Sequence, residues 1–169
     1  MDIPTPSPET PPAPTEAARI LAFDLGRERI GVAISDGLGL TAQPLLTIYR
    51  KTPHADLKSI GRLIRRHAIA ELVVGNPLHL SGDQSPQAAR AQRFADDLRA
   101  EFGLPVHLWD ERLTSHAAHE ILDETGGKHS AADRGVKDRI ARKRIIDQLA
   151  AVLILESFLA ARGNPVKPE

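Results

Sequence analysis

Residues 18–23 form a short apolar run closed by Gly26, and residues 30–34 repeat the pattern after Arg27, Glu28 and Arg29. Two such runs about a polar turn predict a strand hairpin. Asp36-Gly37 marks the next turn, and residues 45–49, entered from Pro44, predict a third strand. From Pro53 the period changes: Leu57, Ile60, Leu63 and Ile64 share one helical face, with Lys58, Arg62, Arg65 and Arg66 elsewhere. A fourth strand is predicted at 71–74. Ser85 is placed to cap a helix with Pro86 in its first turn and Ala88, Ala91, Ala95 and Leu98 as its apolar stripe, ended by Gly103-Leu104-Pro105. Residues 106–109 predict a fifth strand, Thr114 or Ser115 a cap for a short helix through Leu122, and 140–161 the last helix.

Three strands thus precede any helix, and each of the last two is entered after one. That order implies parallel crossovers added to an antiparallel meander, hence an α/β fold with a mixed sheet and helices on its faces. A chain of 169 residues suffices for one well-buried core and is short for two. Six of the thirteen prolines fall in residues 1–14, without the basic flank and apolar run of a secretory leader. The expected organisation is a disordered Pro-rich tail over 1–17, one domain over 18–162 and a flexible C-terminus over 163–169. The apolar run 145–161 is broken by Asp147, Gln148 and Glu156, short of the roughly 20 apolar residues of a membrane span. A soluble, cytoplasmic protein with no membrane partner is expected.

Composition narrows the chemistry. With no cysteine there is neither a disulfide framework nor a thiolate metal site, so any metal must take oxygen or nitrogen ligands. Twenty-two basic residues balance twenty-two acidic ones, which argues against a general electrostatic nucleic-acid binder. Locally the balance fails: residues 128–144 hold Lys128, Arg134, Lys137, Arg139, Arg142, Lys143 and Arg144 against Asp133 and Asp138. This segment reads either as a track for phosphates or as a solvated loop leading into a helix.

Three acidic positions stand out. Asp24 ends a buried strand before Gly26, a place for a metal ligand or for an ordinary turn aspartate. Asp110-Glu111-Arg112 ends the fifth strand, as a surface pair, a helix cap or part of a site. Only one of Asp110 and Glu111 faces a given side unless the strand has already ended. Asp147 lies among Ile145, Ile146, Leu149, Ala150 and Ala151 in an apolar helix, where an unpaired charge costs several kcal/mol. Its cation is Lys143 at i−4, Arg144 at i−3, or a bound metal. Carboxylates converging from strand ends and a helix suit Mg²⁺ or Mn²⁺, and two such ions can cleave a phosphodiester without a side-chain nucleophile.

Other signals fail. Residues 37–42 fit the loose dinucleotide pattern, but Gln43-Pro44 follows where a helix should begin. Gly126-Gly127-Lys128 runs into His129 and lacks a phosphate loop's hydroxyl residue. His116, His119 and Glu120 have no evident third ligand and read as surface residues. Trp109 reads as packing, not base stacking. A sugar-kinase or actin-type phosphotransferase, which also opens on a strand with an Asp and a Gly turn, needs a duplicated domain for which this chain has no room.

The runs LAFDLGRERIGVAISD, LVVGNPLHLSGDQSPQAARAQRFADDL, WDERLTS and KRIIDQLAAVLILESFL, in that order, resemble the YqgF family of RuvC-like, RNase H-fold proteins. That family is also described as pre-16S rRNA nucleases or Holliday junction resolvase-like proteins. The resemblance implies an RNase H-like five-stranded sheet of order 3-2-1-4-5 with strands 1–3 antiparallel. It implies catalytic, metal-holding acids at Asp24, Glu111 and Asp147, with Asp110, Arg112 and Lys143 supporting them or touching substrate. Arg144, in the basic segment, and Asn76, in the loop expected to border substrate, join the substrate contacts. Asn76 stands where the family more often has an apolar residue, and His79 near a usual asparagine. Gly75-Asn76-Pro77 carries no counterpart of the acid that RuvC has at this strand end. The implied activity is Mg²⁺- or Mn²⁺-dependent cleavage of structured nucleic acid, with processing of the 5′ end of pre-16S rRNA as the role. The alternatives are Holliday junction resolution and a low-activity nucleic-acid or transcription adaptor. The implied partner is structured RNA, or else branched DNA, bound by a monomer or homodimer.

Overall fold

A computed structural model describes residues 18–78, 81, 85–114 and 136–163. The Pro-rich tail, His79, the short helix expected through Leu122, the histidines at 116 and 119 and most of the basic segment before residue 136 lie outside the described residues, as do residues 164–169.

The elements run β1 (Arg19–Leu25), β2 (Arg29–Ser35), β3 (Ala42–Tyr49), α1 (Pro53–His67), β4 (Ile69–Asn76), α2 (Pro86–Phe102), β5 (Val106–Asp110), a single 3₁₀ turn (Glu111–Leu113) and α3 (Val136–Gly163). The five strands make one sheet in the order β3-β2-β1-β4-β5, with β1–β2 and β2–β3 antiparallel and β1–β4 and β4–β5 parallel. This is the mixed sheet, in the strand order, that the resemblance implied.

Local chemistry sets the boundaries. The Thr52 hydroxyl accepts from the Ala55 N–H at 3.2 Å to start α1, and the Ser85 hydroxyl accepts from the Ala88 N–H at 3.1 Å, with Pro86 in the first turn of α2. Gly103 ends α2 at a φ of 62°, a conformation that costs glycine little. The third strand begins three residues earlier than the apolar run indicated. Pro44 lies within it, opposite Ala33, tolerated because β3 is the sheet edge and the register slips at Val32/Ala33.

Alternation along β1 divides the core. Leu21 and Phe23 face the layer under α1 and α2, with Ile60, Leu72, Val74 and Leu98; Ile20 and Ala22 face α3, with Val73, Ala151 and Leu155. Trp109 belongs to the α3 layer: its ring meets Phe158 edge-on at 5.4 Å, and its indole N–H donates to Ser157 Oγ at 3.0 Å. The packing role expected of Trp109 is therefore met by an aromatic partner far away in sequence. The α3 helix extends past both expected ends, and burial along it is uneven. Residues 139–145 are exposed, Ile145 among them at 53%, and full burial begins only at Ala151. Asp147 stands at that transition, not deep in an apolar helix.

Candidate active site

Ile20 and Ala22 point toward α3, so the next residue of that row, Asp24, does too, at the point where the sheet gives way to the Gly26 turn. Two glycines flank it. Gly31 pairs with Asp24 across β1–β2, and a Cβ on Gly31 would lie 1.9 Å from the Asp147 carbonyl oxygen. On the other side, Gly75 follows the Phe23–Val74 pairing of β1 with β4, and a Cβ there would meet Glu111 Oε1 and Ile154 Cδ1, each at 2.5 Å. Missing side chains on β2 and β4 thus let the α3 backbone and the Glu111 carboxylate close in on either side of Asp24. Glycine inside a strand is the sequence signal for such an approach.

The three carboxylates are electrostatically coupled through Asp24. Burial, and then the Asp147 charge, push the Asp24 carboxyl up to about 6. Burial, followed by Asp24 and Asp110, pushes Glu111 up to about 7. Asp147 is held by a residue that helix spacing could not reveal: Arg29 Nε of β2 donates to its Oδ2 at 2.6 Å. Neither Lys143 nor Arg144 serves as that partner. Lys143 is exposed, one helical turn before Asp147; Arg144 lies across the Tyr49 ring at 5.2 Å and donates to the Tyr49 hydroxyl.

The strand-end acids part company. With β5 ended at Asp110, Asp110 accepts from the Arg112 N–H at 3.0 Å to cap the 3₁₀ turn, and it binds the Arg112 guanidinium at 2.6 Å through Nη2. That hydrogen bond is the main reason its carboxyl sits below the usual range. Glu111, one residue on, reaches Gly75. Asn76 goes elsewhere: Val74 faces the α1/α2 layer and Gly75 the acids, so Asn76 returns to the α1/α2 side, next to Asp110 across β4–β5. Its Oδ1 is buried and, among the described residues, has no hydrogen-bond partner. Of the seven expected site residues, the fold brings together Asp24, Glu111 and Asp147, sets Lys143 nearby, commits Arg112 to Asp110 and Arg144 to Tyr49, and turns Asn76 to the other face.

An all-oxygen set suits Mg²⁺ or Mn²⁺, and a divalent cation would offset the burial and mutual repulsion that push the Asp24 and Glu111 carboxyls up. Among the described residues, no three His, Cys, Asp or Glu side chains are gathered tightly enough to surround one ion as they stand. Arg29 already occupies one Asp147 oxygen. Arg29→Gln is therefore expected to lower metal-free stability by about 1–3 kcal/mol, the cost of orphaning a half-buried charge. Mn²⁺ should restore much of that loss, read as a melting temperature with and without the ion.

A family model described as RuvX, Holliday junction resolvase, matches residues 18–161. A "Putative pre-16S rRNA nuclease" of Koribacter versatilis is 47% identical over 86% of this chain and 88% of its own length. Proteins of the same name are 46% identical in Moorella thermoacetica, over 86% and 97%, and 43% in Geobacillus kaustophilus, over 85% and 99%. Among solved structures, Thermus thermophilus RuvC in complex with a Holliday junction substrate shares the fold at a TM-score of 0.51 and 17% identity, over 90% of this chain and 99% of that one. The chain belongs to the RuvX family, the one known also as YqgF.

Proposed function

We propose that this chain is a divalent-metal-dependent nuclease that cleaves structured RNA, processing the 5′ end of pre-16S rRNA in the cytoplasm. One observation carries the reading. Asp24 lies between Asp147 and Glu111 at a strand end, and these are carboxylates from three separate elements with the interior side chains between them removed. Phosphodiester hydrolysis is the family's reaction class, and the rRNA role rests on the name carried by relatives at 40–47% identity.

Asp24, Glu111 and Asp147 would hold the metal, which when bound activates water and neutralises the leaving oxygen. The chain's own residues supply position and charge. Arg29 pairs with Asp147 and orients it, and Asp110 fixes the turn that presents Glu111. Exposed Arg139, Arg142 and Lys143, just before Asp147 on α3, offer cations to the phosphates beside the cut. Among the described residues no helix is long and apolar enough to cross a membrane.

Junction cleavage is the second reading, favoured by the family's description. Against it, β4 ends in Asn76, on the face away from the acids. A side-by-side assay decides: precursor-rRNA spacer and four-way DNA junction, each with Mg²⁺ and Mn²⁺. Cleavage of the spacer is expected, and cleavage of junctions alone would overturn the RNA assignment.

Proton linkage gives a test that needs no substrate. Both acids bind protons more tightly folded than unfolded, at about 6 against 3.8 for Asp24 and about 7 against 4.5 for Glu111. The metal-free chain is therefore expected to lose stability as pH rises from about 4 to 7. Cation binding must displace those protons, so the rise in melting temperature given by Mn²⁺ should be slight at pH 5 and large at pH 8. A rise independent of pH would contradict a site built on these two acids.

A further inference from the structure

On the opposite face of the sheet, a cavity of about 270 Å³ opens at the end of β1. Leu25, Leu57 and Phe94 give it apolar lining, and Arg50, Arg90 and Arg93 line it as well. Two acids also line it, and they differ. Asp56 is 4% exposed and fully engaged: it accepts from Arg50 Nε at 3.3 Å and from the Lys51 N–H at 3.1 Å. Arg50 in turn donates to the Gly26 carbonyl at 3.0 Å, so this pair forms a neutral floor tied to the turn after Asp24.

Arg90 and Arg93 are one helical turn apart on α2, and among the described residues neither has a carboxylate at ion-pair distance. Two arginines with no such partner among the described residues, lining a partly apolar cavity, favour a phosphate, which accepts the planar N–H forks of guanidinium groups. The volume lies just under the usual ligand-pocket range, room for a phosphate with its sugar and not for a large cofactor. Asp97, exposed, lines the cavity too, a carboxylate able to accept from a sugar hydroxyl and to repel a highly charged bare anion.

Position links the cavity to the acids. Its wall residue Leu25 follows Asp24 directly, and Phe94 meets Phe23, which precedes Asp24, edge-on at 5.8 Å. Both chain neighbours of Asp24 thus pack toward the cavity while Asp24 itself faces α3, and a polymer crossing this end of the sheet touches both sides.

We propose that the Arg90–Arg93 cavity binds a phosphate and its sugar from the nucleic-acid strand that is cut at Asp24. The strand's identity rests on the nuclease reading; the chemistry the cavity takes rests on its own lining. The test uses the full chain without divalent cation and a labelled, 5′-phosphorylated single-stranded RNA oligonucleotide, with affinity read by fluorescence anisotropy. Arg90→Gln/Arg93→Gln is expected to weaken binding about tenfold and to make the salt dependence shallower by about 0.7 in log–log slope per phosphate released. Arg65→Gln/Arg66→Gln, exposed on α1, should bind as wild type does. Arg93→Glu, at an exposed position, is a second variant expected to weaken binding at least as much.

Wild-type affinity in both cavity variants would overturn the proposal. Adenosine monophosphate forms the other arm. If it competes weakly while the double variant loses the oligonucleotide, a strand phosphate is the occupant. If it binds tightly to the cavity and strand binding is unchanged in the double variant, the strand is excluded. Because cleavage is not read, a chain that cuts nothing would defeat the proposed function and leave this result standing. Wild-type binding by variants of a chain that does cleave spacer RNA would do the reverse.

Discussion

The Asp24→Asn variant is expected to lose metal-stimulated cleavage by at least about a hundredfold, the scale of removing a group that acts directly on the transition state. It should fold normally and, above pH 7, be more stable than the wild type. The two effects share one cause. In the folded chain this carboxyl is pushed up to about 6 by burial and by Asp147, so its ionised form costs folding free energy once the pH exceeds that value. A neutral amide avoids a cost on the order of 3 kcal/mol. Stability rising as activity vanishes marks a residue retained for chemistry. Cleavage assays paired with thermal unfolding at pH 8 would show it, and unchanged cleavage would remove Asp24 from the mechanism.

Gly31→Ala should be damaging in the opposite way, through structure first. The added methyl would lie 1.9 Å from the Asp147 carbonyl oxygen and 2.5 Å from its carbon, and a helix backbone cannot step aside as a side chain can. Either β2 or α3 must move, straining the layer that holds Ala151 and Leu155. A loss of about 3 kcal/mol is expected, at the upper end of overpacking costs. Any molecules that still fold carry a displaced Asp147, for which a shift near 1 Å costs roughly a hundredfold in rate. Gly37→Ala is the matched control, because nothing lies within 4 Å of a Cβ there, and its stability should change by less than about 0.5 kcal/mol. Denaturant unfolding of the pair checks this, and equal stability of the two variants would refute the close approach at Gly31.

These cases separate what is legible in the chain from what is not. Local rules act over a few residues, so the Ser85 cap, Pro86 and the Gly103 stop can be placed from the order of residues alone, and they fall where expected. So does the strand order, through the family resemblance. What escapes is tertiary. Asp147 needs a cation, but spacing along a helix offers only helix neighbours, whereas its partner Arg29 comes from β2. Asn76 is expected beside substrate because it lies in the right loop; a single step of strand alternation after Gly75 sends it to the other face. Arg144, free for phosphates as far as its helix neighbours go, is taken up by Tyr49 on the edge strand. The close approaches at Gly31 and Gly75 are written in the chain as glycines inside strands, but only the packed layers name what comes close.

The placement of Asp147 on the last helix also bears on how the protein is made. Synthesis runs from the N-terminus, so Asp24 and Glu111 leave the ribosome before α3 exists, and the sheet then lacks both Asp147 and the layer that covers its face. Until α3 docks on Gly31, Asp24 and Glu111 have no Asp147 beside them. On the proposed nuclease reading, the chain gains its third acid only once α3 has been made and has docked.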